Sequence, residues 1–290
     1  MDIPAPETSA RPAVGVPAEL SLLLASPLPR TGLPLRVQAV AFRGSNKKAA
    51  VRLVIEVLGR SLAFAERSGK FEERLELALL TVDDRARAAH GTSARLDVRL
   101  TTDELQRVKA TGVRWLTELD LEPGHYQVRV AGRALGTGTS GTIAWDIDVP
   151  AFESDRLTMS GVTLTSLPSV LMFTRGEPWL QKTLETPPSA ARSFIAGDQI
   201  TAGVEVYVPG LASADVDVGS EIEWPDGSRR AGVRQRVARG NGRPRAEAIG
   251  FPVDTSKLPA GRYVLHIVLD PSGGATILER RVPFELVRKN

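Results

Sequence analysis

The sequence predicts an all-β protein: two tandem immunoglobulin- or fibronectin III-like antiparallel β-sandwich domains behind a flexible, Pro-rich N-terminal arm. Three observations predict it. Apolar and polar residues alternate in short runs, as in LPLRVQAVAF, SARLDVRL and RYVLHIVL, which is the period of a half-buried strand. Between these runs there is no sustained helical period of the kind that joins strands in a parallel α/β fold. Finally, one short phrase occurs twice, LDLEPGHYQVRV at 119–130 and LPAGRYVLHIVL at 258–269.

Taken in order, the first residues are rich in Pro, Ala and Ser and read as a flexible arm over 1–30. Their acid at position 2, missing basic region and short apolar patch do not make a secretory signal. Residues 31–152 carry seven or eight short strand-like runs, and a single helical turn is expected near TTDELQRVKATG, with Thr101 or Thr102 as its cap. Residues 153–190 break the rhythm with Pro168, Pro178, Pro187 and Pro188 and read as an inter-domain segment with one or two strands of its own. A second alternating set fills 191–290.

The repeated phrase holds each sandwich together in this reading. Tyr126 and Tyr263 open an inward-facing alternation just before the last hairpin. In immunoglobulin-like folds a Tyr in that place covers the core and bonds back to upstream backbone, the tyrosine corner. The Pro and Gly supply the tight entry.

At 290 residues with 42% apolar and 24% charged residues, the chain suits two ordinary globular domains. With no Cys, disulfides, thiolate zinc sites and cysteine nucleophiles are all excluded. No stretch approaches the roughly 20 apolar residues of a membrane-spanning helix. The net charge of +3 gives little support for nucleic acid.

The strongest charge feature is SRRAGVRQRVARGNGRPR, which holds Arg229, Arg230, Arg234, Arg236, Arg239, Arg243 and Arg245 and no acid. One reading is a basic strip for an anionic glycan or surface. The other is a hairpin through WPDGSR, which sets Asp215, Asp217, Glu221 and Glu223 beside Arg230, Arg234 and Arg236 as cross-strand pairs. No aromatic residue interleaves the arginines, which disfavours single-stranded nucleic acid. DVDVGSEIEWPD fails as a calcium loop, because its sixth and twelfth positions are Ser220 and Asp226. His90, His125 and His266 have no metal-ligand spacing and read as solvent-exposed residues. GTGTSGT at 136–142 has no Lys and no helix after it, so it reads as a hairpin tip, not a phosphate loop. Asp83 and Asp84 suit a strand-ending turn. No catalytic constellation is visible, and neither a cofactor nor a metal is expected.

Several strings occur together and in order: ASPLPRTGLPLRVQAVAF, LELALLTVD, LDLEPGHYQVRVAGR, DIDVPAF followed by LTMSGVTLTS, ARSFIAGDQITAGVEVYV, and LPAGRYVLHIVL with RVPFEL. Over most of residues 25–287 the chain resembles the C-terminal region of von Willebrand factor A-related proteins of Acidobacteria. The resemblance implies tandem β-sandwiches in an exported protein; with no catalytic constellation in the sequence, the expected role is non-enzymatic, structural or accessory, with a protein partner. The Asp-x-Ser-x-Ser metal motif of an A-type domain is not in this sequence. The nearest string, from Asp254 to Leu258, lacks its last Ser. The expectation is therefore a sandwich region that carries no metal-dependent binding.

Overall fold

A computed structural model describes residues 16–176, 187–212, 214–271 and 277–288. The chain is all-β. A short helix α1 (Ala18–Ala25) is followed by strands β1 (Leu35–Arg43), β2 (Ala49–Val57), β3 (Ala65–Arg67), β4 (Lys70–Asp83) and β5 (Ala88–Leu100). After helix α2 (Thr102–Thr111) come β6 (Val113–Leu121), β7 (Gly124–Ala134) and β8 (Ser140–Val149). Then β9 (Thr158–Met159), β10 (Thr163–Ser166), one turn of helix α3 (Leu167–Val170) and β11 (Phe173–Gly176) follow. The last strands are β12 (Ser193–Ile195), β13 (Gln199–Val208), β14 (Val216–Glu223), β15 (Arg229–Val237), β16 (Arg245–Asp254), β17 (Gly261–Pro271) and β18 (Leu278–Val287).

Four sheets result. One has the order β1-β2-β6-β11 and the next β3-β4-β7-β8, with β5 also on β4. Their inner faces share one apolar core, in which Leu53, Ile55, Leu77, Leu79 and Val128 are fully buried. The other two are β10-β13-β16, with β9 on β13, and β12-β18-β17-β14-β15. They enclose a second core around Val204, Phe251, Leu265 and Ile267. Each such side chain contributes ~1.5–3 kcal/mol of transfer free energy, so aliphatic burial alone can hold these layers.

Helix α2 is capped by Thr101: its hydroxyl accepts from the Glu104 N–H, and Glu104 Oε2 accepts from the Thr101 N–H at 2.8 Å. Gly112 ends it at φ 100°, a conformation that favours Gly.

Two expectations are corrected here. Residues 18–25 are not part of a flexible arm but a helix, whose Leu20 and Leu24 are buried against Ala78 and Ala131 on the outside of the β4-β7 sheet. Glu19 pairs with Arg133, and the following chain bonds along β8 through the Arg30 carbonyl and the Leu33 N–H. Residues 1–15 lie outside the described residues. The segment 153–190 carries three strands where one or two were expected. It adds β9 and β10 to β13, and β11 runs parallel to β6. Residues 177–186, with Pro178, lie outside the described residues.

A polar seam ties that segment to the first sheet. Glu56 Oε1 accepts from Ser189 Oγ at 3.0 Å, from the Ala190 N–H at 3.1 Å and from Arg114 Nε at 3.4 Å. Arg114 Nη2 donates to the Ser169 carbonyl at 2.7 Å. Both charged residues are fully buried. Among the described residues no helix is long and apolar enough to cross a membrane.

Candidate functional site

The two tyrosines occupy matching places. Each ring folds back over the Gly two residues before it, 3.6 Å from where a Cβ on Gly124 would lie and 3.7 Å from one on Gly261. Both side chains are buried. The Tyr263 hydroxyl donates to the Pro259 carbonyl at 2.8 Å. Its ring stacks on Phe284 and meets Trp224 edge-on. The Tyr126 hydroxyl has no hydrogen-bond partner among the described residues, which corrects the expectation of a bonded corner in both phrases.

The reason is the length of the connection. Two residues, 122 and 123, separate β6 from β7, whereas six, 255–260, separate β16 from β17. The longer loop makes its own turn from Thr255 to Leu258 and carries the Pro259 carbonyl back over the ring.

The histidines also differ. His125 is exposed, and its Nδ1 lies 2.8 Å from Asp148 Oδ1. That bond raises its pKa above the ordinary histidine value. His266 was expected at the surface because it has the outward parity of its strand. It is fully buried instead. Its Nδ1 lies 2.7 Å from Glu279 Oε1 and its Nε2 2.9 Å from Glu223 Oε2. Arg229 reaches both carboxylates, and Arg281 lies 3.7 Å from Glu223. Long side chains from β14, β15 and β18 thus roof over the imidazole. The bond from His266 holds the Glu279 carboxyl below the usual carboxylate range.

The arginine strip falls on β15, an edge strand that among the described residues pairs with β14 alone, on the loop after it, and on Arg245 at the start of β16. Arg236 pairs with Asp217 at 3.0 Å and Arg245 with Glu247 at 3.3 Å. The expected acid partners of Arg230 and Arg234 are not made. The turn closed by Trp224 and Ser228 sets Arg230 opposite Ile222, and a bulge opposite Ser220 then shifts the register so that Arg234 faces Gly219. Arg230 lies 3.7 Å over the Trp224 ring. The side chains of Arg234, Arg239 and Arg243 are exposed and meet no carboxylate at ion-pair distance among the described residues.

The feature the sequence did not announce is a groove of about 1330 Å³. One wall is the open side of the first core, where the edge strands β1 and β8 present Val37, Ala39, Ile143 and Trp145. The other comes from β17, β18 and the end of β14, with Tyr263, Phe284 and Trp224. Arg192 and Arg280 line it as well. Burial lowers the pKa of both, that of Arg192 to about 10. Their guanidinium groups bond only to carbonyls, of Ser189 and Ala191 for one and of Met159, Ser160 and Glu279 for the other.

No family model and no curated protein matches this chain.

Proposed function

We propose that the chain is a non-enzymatic structural and protein-interaction module, an accessory or scaffold part of an extracytoplasmic protein or larger assembly. It is built in this reading as two immunoglobulin- or fibronectin III-like sandwiches. The observation that carries the interaction role is the groove: a concavity of about 1330 Å³ between the two cores, lined by apolar side chains of both and by several arginines. A concave, mostly apolar site with a few polar groups is the form that binding sites commonly take. The extracytoplasmic placement rests on the resemblance to von Willebrand factor A-related proteins alone. The test is affinity purification of the tagged full chain after chemical cross-linking. A single protein partner held at stoichiometric amount is the expected result, and recovery of the chain without any partner contradicts the reading.

A second reading has its own observation. Arg234, Arg239 and Arg243 are exposed without carboxylate partners, which suits an anionic polysaccharide. Retention on a heparin-like resin beyond ~0.2 M salt, lost in the triple Arg→Ala variant, supports it, because diffuse surface charge is screened there. Elution of parent and variant at the same low salt rules it out.

A further inference from the structure

This inference deepens the interaction reading above and rests on it. We propose that the groove takes an extended segment of a partner protein, alternating apolar and acidic residues, which adds as a new strand to the free edge of β1.

The main chain of β1 carries the first argument. In an antiparallel pair, successive residues direct their N–H and C=O groups alternately toward and away from the partner strand. The Arg43 N–H donates to Tyr207 Oη at 2.8 Å, and the Ala41 carbonyl accepts from the Gly161 N–H at 2.9 Å. Odd-numbered residues of β1 therefore point away from β2, its one strand partner among the described residues. Val37 and Ala39 share that parity and line the groove. Their edge-facing groups have no partner among the described residues, although both residues are buried, at 3% and 8% exposure. Buried main-chain groups are nearly always paired. A strand offers a matching donor and acceptor every second residue, about 6.8 Å apart.

Gln38 gives a second, independent pointer. It is 2% exposed and lines the groove. Its Nε2 donates to the Val162 carbonyl, and its Oε1 has no partner.

The neighbouring edges are closed in part: β18 is blunted and β8 is covered at its start, while the outward main-chain groups of Ala144 and Asp146 on β8 have no partner among the described residues. On β18 the Glu285 N–H bonds to the Arg192 carbonyl, so Pro283, two residues before, turns toward the same edge and has no N–H to offer. The start of the β8 edge is taken by Arg30 and Leu33. Such blunting is how sheets prevent unwanted strand addition, and β1 lacks it at Val37 and Ala39.

Charge sets the partner's chemistry. Five arginines line the groove, Arg36, Arg192, Arg262, Arg280 and Arg281, against three acids, Asp148, Glu223 and Glu285. Asp148 and Glu223 are already paired with His125 and His266. Arg36 and Arg262 meet no carboxylate at ion-pair distance among the described residues. The excess is positive, and acidic side chains complement it.

The test uses the full chain and a synthetic probe, acetyl-(Glu-Val)4-amide. Binding is read by tryptophan fluorescence, since Trp145 and Trp224 line the groove, and by amide hydrogen exchange. The expected result is saturable binding that slows exchange at Val37 and Ala39. Methylating the peptide's backbone nitrogens in one alternate register should abolish it, and methylation in the other should not. The (Lys-Val)4 analogue, and the Arg36→Glu, Arg262→Glu double variant with an unchanged circular dichroism spectrum, should each bind about tenfold more weakly. Equal binding of the Lys peptide, insensitivity to methylation, or protection on β15 instead of β1 overturns the proposal. So does a dimer that protects the same amides without peptide, which assigns the groove to a second copy. If the peptide fails while the chain still purifies with a stoichiometric partner, the groove assignment falls and the module reading stands. If neither binds, both fall.

Discussion

Tyr126 and Tyr263 open the same kind of strand after the same kind of turn, and the two are held differently. Both rings lie over a Gly and cover a core. Only Tyr263 has a carbonyl waiting for its hydroxyl, at Pro259. The residue just before each Tyr varies freely, His125 in one phrase and Arg262 in the other. A repeated phrase thus fixes which way a side chain points. The loop in front of it decides whether the polar end finds a partner. The histidines teach the same point: His125 and His266 share outward parity, yet one is exposed and the other is roofed over by two Glu and two Arg side chains.

The largest effect expected lies at the seam between the two halves of that comparison. Glu56→Ala leaves the Arg114 guanidinium buried without its carboxylate, and it should cost ~3–5 kcal/mol by urea unfolding. Leu20→Ala should cost ~2–5 kcal/mol, depending on how far the site collapses, and should free α1 to rapid amide exchange. Slow exchange in α1 of that variant would show that the helix does not depend on this contact. Tyr263→Phe removes a bonded hydroxyl and should cost ~1–2 kcal/mol, while Tyr126→Phe should stay within ~0.5 kcal/mol. Equal costs would erase the distinction between the phrases.

The smallest expected effect is in pH dependence, and it has opposite signs in the two regions. Glu279 is held below its ordinary value of 4.5, so its contribution is present above pH 4.5 and is lost as pH falls through the depressed value. His125 is raised above 6.5, so its contribution is present below pH 6.5 and is lost as pH rises through the raised value. Glu279→Gln should flatten the acid limb of the stability profile and His125→Gln the neutral limb. Thermal unfolding between pH 3 and 8 checks both.

Most strands were legible because period-2 alternation is a local property. "FEERLELALLTV" shows Leu75, Leu77 and Leu79 on one face, and all three are fully buried. What was not legible depends on distant residues. Helix α1 is held by a seat of two small residues, Ala78 and Ala131, from different strands, and nothing in the Ala-rich context of Leu20 announces that. Arg230 turned toward Trp224 because the turn from Trp224 to Ser228 sets it opposite Ile222 and not opposite an acid. The burial of His266 needed side chains from three other strands. Of the candidate site, the arginines on β15 were visible in sequence. The groove was not, because it arises from where two cores lie relative to one another and from which β1 carbonyls and amides are left without partners.

The phrase shared by 119–130 and 258–269 closes cores and does not bind. Tyr263 is the harder case, since it also lines the groove. The direct measurement is a binding isotherm for acetyl-(Glu-Val)4-amide on Tyr126→Phe and Tyr263→Phe, taken on the same samples as their unfolding curves. Dissociation constants within about twofold of the parent are expected for both variants, with a stability loss in Tyr263→Phe alone. A variant that keeps its full stability and loses binding tenfold would contradict it.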